Sequence, residues 1–142
     1  MRSPRRAAGI LAGLAATSAL ALFGATPASA ATWTLVDYPG YPQRLCLPPE
    51  SSWPGAYFLT PIHGTWSTVI ETGVRNLPPG SSSSGGMVHP SEWDPDDHEY
   101  IGMVPVSLAP APAGDYIAEL WASDGTETQT IPVVISYQYD CY

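Results

Sequence analysis

After position 30 the apolar residues of this chain fall at alternate positions in short runs. That is the period of a half-buried strand, and no stretch keeps the three-to-four spacing of an amphipathic helix. Proline and glycine end the runs every few residues, at YPGYP (38–42), LPPE (47–50), WPG (53–55), LPPGSSSSGG (77–86), DPDD (94–97) and APAPAG (109–114). The pattern predicts strands near 32–37, 43–47, 56–62, 65–71, 86–89, 99–108, 115–123 and 126–137. Short strands at this spacing predict an all-β fold, a sandwich or a barrel. By composition, PPGSSSSGG (78–86) reads as a flexible loop. There is no internal repeat.

The last hairpin can be worked out residue by residue. Asp124-Gly125 is a strong turn signal, and a two-residue turn there sets Ser123 opposite Thr126. Trp121 then faces Thr128, Glu119 faces Thr130, Ala118 faces Ile131 and Tyr116 faces Val133. Directly opposed residues share a face. One face carries Tyr116, Ala118, Leu120, Ile131, Val133 and Ile135, and it is the core face. The other carries Glu119, Trp121, Thr128, Thr130 and Ser136.

The segment PAPAGDYIAELW (110–121) resembles the entry to the sixth strand of immunoglobulin-like domains, with Gly114-Asp115-Tyr116 as its tyrosine corner. Ala118 stands where antibody domains carry a cysteine, so the resemblance is to the architecture, and it implies a single immunoglobulin-like antiparallel β-sandwich. The segments WTLVDYPGYPQRLC, GTWSTVIETGVRNLPPGS and VPVSLAPAPAGDYIAELWASDGT also resemble a family of small secreted proteins of unknown function from high-GC Gram-positive bacteria. That resemblance spans nearly the whole chain after position 30 and implies no activity.

The first thirty residues have another character. Arg2, Arg5 and Arg6 precede an apolar Ala/Leu/Gly-rich run from Ala7 to Phe23, and Ala28-Ser29-Ala30 is an A-x-A cleavage site. Residues 1–30 therefore read as a cleaved secretory signal peptide, leaving 31–142 as one domain, secreted and extracellular, with no membrane attachment. Either the general or the twin-arginine route would serve its export.

All 13 carboxylates follow position 30, against only Arg44 and Arg75, a surplus of eleven negative charges. Such a surface repels phosphate backbones and anionic membranes, so nucleic acid is excluded as a partner and a monomer is expected. The two cysteines, Cys46 and Cys141, are expected to pair in an oxidising compartment and to close almost the whole domain into one loop.

Candidate chemistry centres on EWDPDDHEY (92–100). Asp94, Asp96, Asp97 and Glu99 offer a weak calcium site, since calcium takes six to eight oxygens. Counted from Asp94, the sixth and twelfth positions are Glu99 and Pro105, where the helix–loop–helix calcium motif needs Gly and Glu. The segment is therefore read as a solvated acidic turn, and no metal or cofactor is expected. His63, His89 and His98 have no ordered catalytic partners, and the nucleophile, zinc-protease and phosphate-loop motifs are all missing. No catalytic residue is assigned.

The aromatics are more informative. Trp66 reads as core. Trp53 and Trp93 lie in loops, and Trp121 lies on the outward hairpin face with Thr128 and Thr130. An exposed ring among hydroxyls suits a binding surface. The sequence thus predicts a secreted, non-enzymatic binding module for an extracellular glycan, wall polymer or protein, with Trp121, Thr128, Thr130, Trp53 and Trp93 as candidate contacts. The alternative is an inhibitor of an extracellular hydrolase that presents the Pro-rich loop CLPPESSWPG (46–55).

Overall fold

A computed structural model describes residues 31–141 except Trp93, Asp97 and His98. The assigned signal peptide lies outside the described residues. Among the described residues nine strands, β1 (Trp33–Leu35), β2 (Arg44–Leu47), β3 (Trp53–Gly64), β4 (Ile70–Arg75), β5 (Ser82–Ser83), β6 (Gly86–Val88), β7 (Glu99–Leu108), β8 (Gly114–Ser123) and β9 (Thr128–Tyr137), form two sheets. One sheet has the order β1-β3-β7-β5 and the other β2-β9-β8-β4-β6. A 3-10 turn, Pro90–Glu92, precedes β7.

The two layers exist because each long strand alternates. Phe58, Ile62, Val104, Val106 and Leu108 point inward from the four-stranded sheet. Ile70, Val74, Ala118, Leu120, Val133 and Ile135 meet them from the five-stranded one, and all are buried. Trp66 joins this core from the β3–β4 loop, as expected, although its indole N–H and the Thr60 hydroxyl are buried without a hydrogen-bond partner. Tyr116 forms the expected corner, its hydroxyl donating to the Pro112 carbonyl at 3.2 Å, and its ring meets Tyr137 edge-on at 5.5 Å. The Cys46–Cys141 disulfide is present, with its Cα atoms 5.8 Å apart.

Four expectations are corrected. The sandwich is not wholly antiparallel, since β2 runs parallel to β9. The predicted strand at 65–71 is displaced to 70–75. The supposedly flexible 78–86 segment contains β5 and enters β6.

The fourth is the β8–β9 register, which is shifted by two: Ser123 faces Thr128, Trp121 faces Thr130, Glu119 faces Pro132, Ala118 faces Val133 and Tyr116 faces Ile135. The turn centres on Gly125-Thr126, with Gly125 at φ +90 in the first central position, the demand of a II′ turn. Asp124 closes it, donating its N–H to the Glu127 carbonyl at 3.2 Å and accepting at Oδ1 from Thr126 and Glu127 N–H groups. A shift of two preserves every side chain's face, so the face assignment stands.

Two glutamine amides act as surrogate strands. Gln43 bonds both the N–H and C=O of Leu59 at 2.7 Å. Gln129 accepts from Leu35 N–H at 2.9 Å and donates to the Trp33 carbonyl at 3.0 Å, tying β1 to the opposite sheet. Each amide offers a donor and an acceptor side by side, as a neighbouring peptide would.

Candidate functional site

The outward residues of the five-stranded sheet converge on a half-buried Trp121. In the ladder Trp121 sits between Gly73 of β4 and Thr130 of β9. A Cβ built on Gly73 would lie 2.7 Å from Cε2, Cζ2 and Nε1 of the indole, so the ring is laid across this glycine. Thr128 continues the same face and donates its hydroxyl to Ser123 Oγ at 2.9 Å.

The serine run builds the wall opposite the ring. β5 pairs with β7 in one sheet and, after Ser84-Gly85, β6 pairs with β4 in the other, so the chain changes sheets within a few residues. Ser83 Oγ secures the crossing by accepting from Val74 N–H at 3.2 Å and Gly85 N–H at 3.3 Å. Gly86 is required there, since a Cβ would stand 2.8 Å from Thr72 Oγ1 and 3.2 Å from the Met103 carbonyl. The product is a groove of 490 Å³ lined by Glu71, Gly73, Ser83, Ser84, Met87 and Trp121, among others.

Ion pairs frame this face. Arg75 Nε meets Glu119 Oε2 at 2.9 Å, and Asn76 donates to the same oxygen at 2.9 Å. Arg44 meets Asp115 at 3.1 Å. The Ser136 hydroxyl, and then Arg44, hold the Asp115 carboxyl below its usual range. Both arginines of the domain are thus engaged. Among the described residues Glu71 is the one carboxylate lining the groove.

The acidic stretch assembles differently. Asp94 Oδ1 accepts from Asp96 N–H at 2.8 Å, which closes a short turn, while Glu99 lies opposite His63 in the β3–β7 ladder. Asp97, His98 and Trp93 lie outside the described residues. Among the described residues no three His, Cys, Asp or Glu side chains converge as metal ligands. Burial, and then the Glu92 charge beside it, raise the Tyr100 phenol above its usual range. In the 46–55 segment Leu47 is buried and Glu50 donates its N–H to the Ala111 carbonyl at 2.9 Å, while Ser52, Trp53, Pro54 and Gly55 are exposed.

A model of a family of unknown function, DUF5980, matches residues 34–139. The chain belongs to the DUF5980 family. No curated protein matches it. Among solved structures it is similar to the ASH/PapD-like domain of human CEP192 (PapD-like domain 7), at 14% identity and a TM-score of 0.42, over 89% of this chain and 96% of that one.

Trp53 does not join Trp121. It begins β3 in the other sheet, paired with Leu108 across a bulge. This DUF5980 protein instead gathers a second surface there that the sequence reading missed. Tyr57, Leu59, Ile101 and Met103 are 50%, 41%, 54% and 60% exposed, and Leu59 stands directly opposite Met103. WPGAYFLTP (53–61) and IGMVPVS (101–107) hold no charged residue and are largely apolar on both alternate sets. That double pattern was the available signal: a strand with one wet face should be polar at every second position.

Proposed function

We propose that this DUF5980 protein is a non-enzymatic extracellular binding module whose Trp121 groove takes a glycan of wall-polymer type. The observation that carries the reading is the indole laid across Gly73 and walled by the serine crossing. A sugar ring has an apolar face of C–H groups and a rim of hydroxyls. The exposed side of the indole and Met87 suit the first, and Glu71, Ser84 and the nearby Thr128 and Thr130 suit the second. Hydrolysis of such a ligand ordinarily uses two carboxyls across the bond, whereas among the described residues Glu71 is the one carboxylate lining the groove and Glu119 is committed to Arg75. Secretion, expected from the leader, agrees with the disulfide and places the module among such polymers.

The test is calorimetric titration with N-acetylglucosamine oligomers and with soluble wall fragments. Binding that Trp121→Ala reduces at least tenfold, while denaturant stability changes by about 1 kcal/mol or less, supports the reading. Binding of equal strength in the variant, or none by the wild type at millimolar ligand, refutes it.

The apolar face of the four-stranded sheet favours a second reading, a protein partner. The contiguous exposure of Tyr57, Leu59, Ile101 and Met103 motivates it.

A further inference from the structure

We infer that signal-peptide removal between Ala30 and Ala31 creates a structural ion pair: the new α-ammonium of Ala31 locks onto the Glu127 carboxylate and fastens β1 to the β8–β9 turn. The inference rests on the leader assignment, and its observation is independent of the Trp121 groove.

The backbone nitrogen of Ala31 donates to Glu127 Oε2 at 3.3 Å, in a half-buried position where Ala31 packs against the core. The other carboxylate oxygen, Oε1, accepts from Gln129 Nε2 at 3.1 Å, which aims the group. Two further attachments bind β1 to the same turn. The Trp33 indole donates to Asp124 Oδ2 at 2.9 Å, and Gln129 grips the backbone of Trp33 and Leu35. β1 is only three residues long and its ladder partner is β3, so these side-chain bonds add a second attachment, across the sandwich.

Before cleavage the Ala31 nitrogen is a neutral amide. After cleavage it is a cation with three donors, facing a carboxylate. A hydrogen bond charged at both ends is roughly twice as strong as a neutral one. The other charged groups nearby reinforce this. Asp124 is held ionised by the Trp33 indole and the turn amides. Arg44 and Arg75 are taken by Asp115 and Glu119 and do not compete for Glu127. His63 stands opposite Thr34 on β3. Pairing raises the folded-state pKa of the amine above its ordinary value of about 8. The added stability is therefore fully present below about pH 8 and is lost as pH rises through the raised value.

Four proteins test it: the chain beginning at Ala31, the same chain preceded by Gly-Ser, and Glu127→Gln in each. Melting is followed from pH 6.5 to 9.5. At pH 6.5 the Ala31 form should melt about 2–5 °C above the extended form. The gap should close towards pH 9.5 and vanish in the Glu127→Gln pair. A gap of zero, a gap independent of pH, or one that survives Glu127→Gln overturns the lock. The intact mass of the exported protein separates the two premises. Any start other than Ala31 defeats both the leader assignment and the lock, whereas a start at Ala31 with equal melting defeats the lock alone.

Discussion

Gly73→Ala probes the Trp121 platform through its floor. The φ of Gly73 lies outside the left-handed region, so alanine suits the backbone. In a strand, removing a glycine should gain about 0.5–1 kcal/mol by restricting the unfolded chain. The new methyl, however, would stand 2.7 Å from three atoms of the Trp121 ring, about 1 Å inside ordinary carbon contact. An indole is rigid, so the whole ring must tilt, at about 0.5–1.5 kcal/mol for leaving its rotamer well. The opposing terms leave Gly73→Ala close to neutral in the native background. In a Trp121→Ala background the collision is gone and the substitution should stabilise by about 0.5–1 kcal/mol. The coupling across the cycle should therefore equal the cost of tilting the ring, about 0.5–1.5 kcal/mol, against about 0.3–0.5 for sites that do not interact. Urea titration of the four proteins measures it. Additive effects within that scatter would show that the ring does not rest on Gly73.

Reduction of Cys46–Cys141, which spans 95 residues, should release about 4.5 kcal/mol of loop-closure stabilisation and lower melting by roughly 20 °C in differential scanning calorimetry. Asp124 is held well below the usual carboxylate range, chiefly by the Trp33 indole and then by the turn's N–H and hydroxyl donors. Its contribution is present above the unfolded value near 4 and is lost as pH falls towards the depressed folded value, so Asp124→Asn should lower melting at pH 7 and flatten the decline below pH 4. Thr60 is buried on the core face with an unpaired hydroxyl, so Thr60→Val should raise denaturant stability by about 1 kcal/mol.

The β8–β9 faces were legible because one buried side forces alternation, which survives a register error of two. The register itself was not, because Asp124-Gly125 and Gly125-Thr126 are both plausible turns and the choice lies with the Asp124 carboxylate. Strand β4 was misplaced because GTWSTVI has the β-branched content of a strand, yet Gly64, at φ +108, turns the chain there against the Thr32 carbonyl. The true strand contains Gly73, a poor strand former tolerated because Trp121 needs the space. The serine run looked flexible by composition. Its order comes from hydroxyls bonded to both sheets, a tertiary effect with no local signal. The shared outward face of Trp121, Thr128 and Thr130 was therefore legible in the strand pattern, and the groove wall beside it was not.

If ligand meets this protein at Trp121, the indole N–H resonances report the contact directly. With the five tryptophans assigned, an N-acetylglucosamine oligomer or wall fragment is added stepwise to nitrogen-15-labelled protein. The account predicts a saturable shift of the Trp121 indole signal while those of the buried Trp33 and Trp66 stay in place. A saturable shift at Trp53 with Trp121 unmoved would place binding on the four-stranded sheet and contradict it.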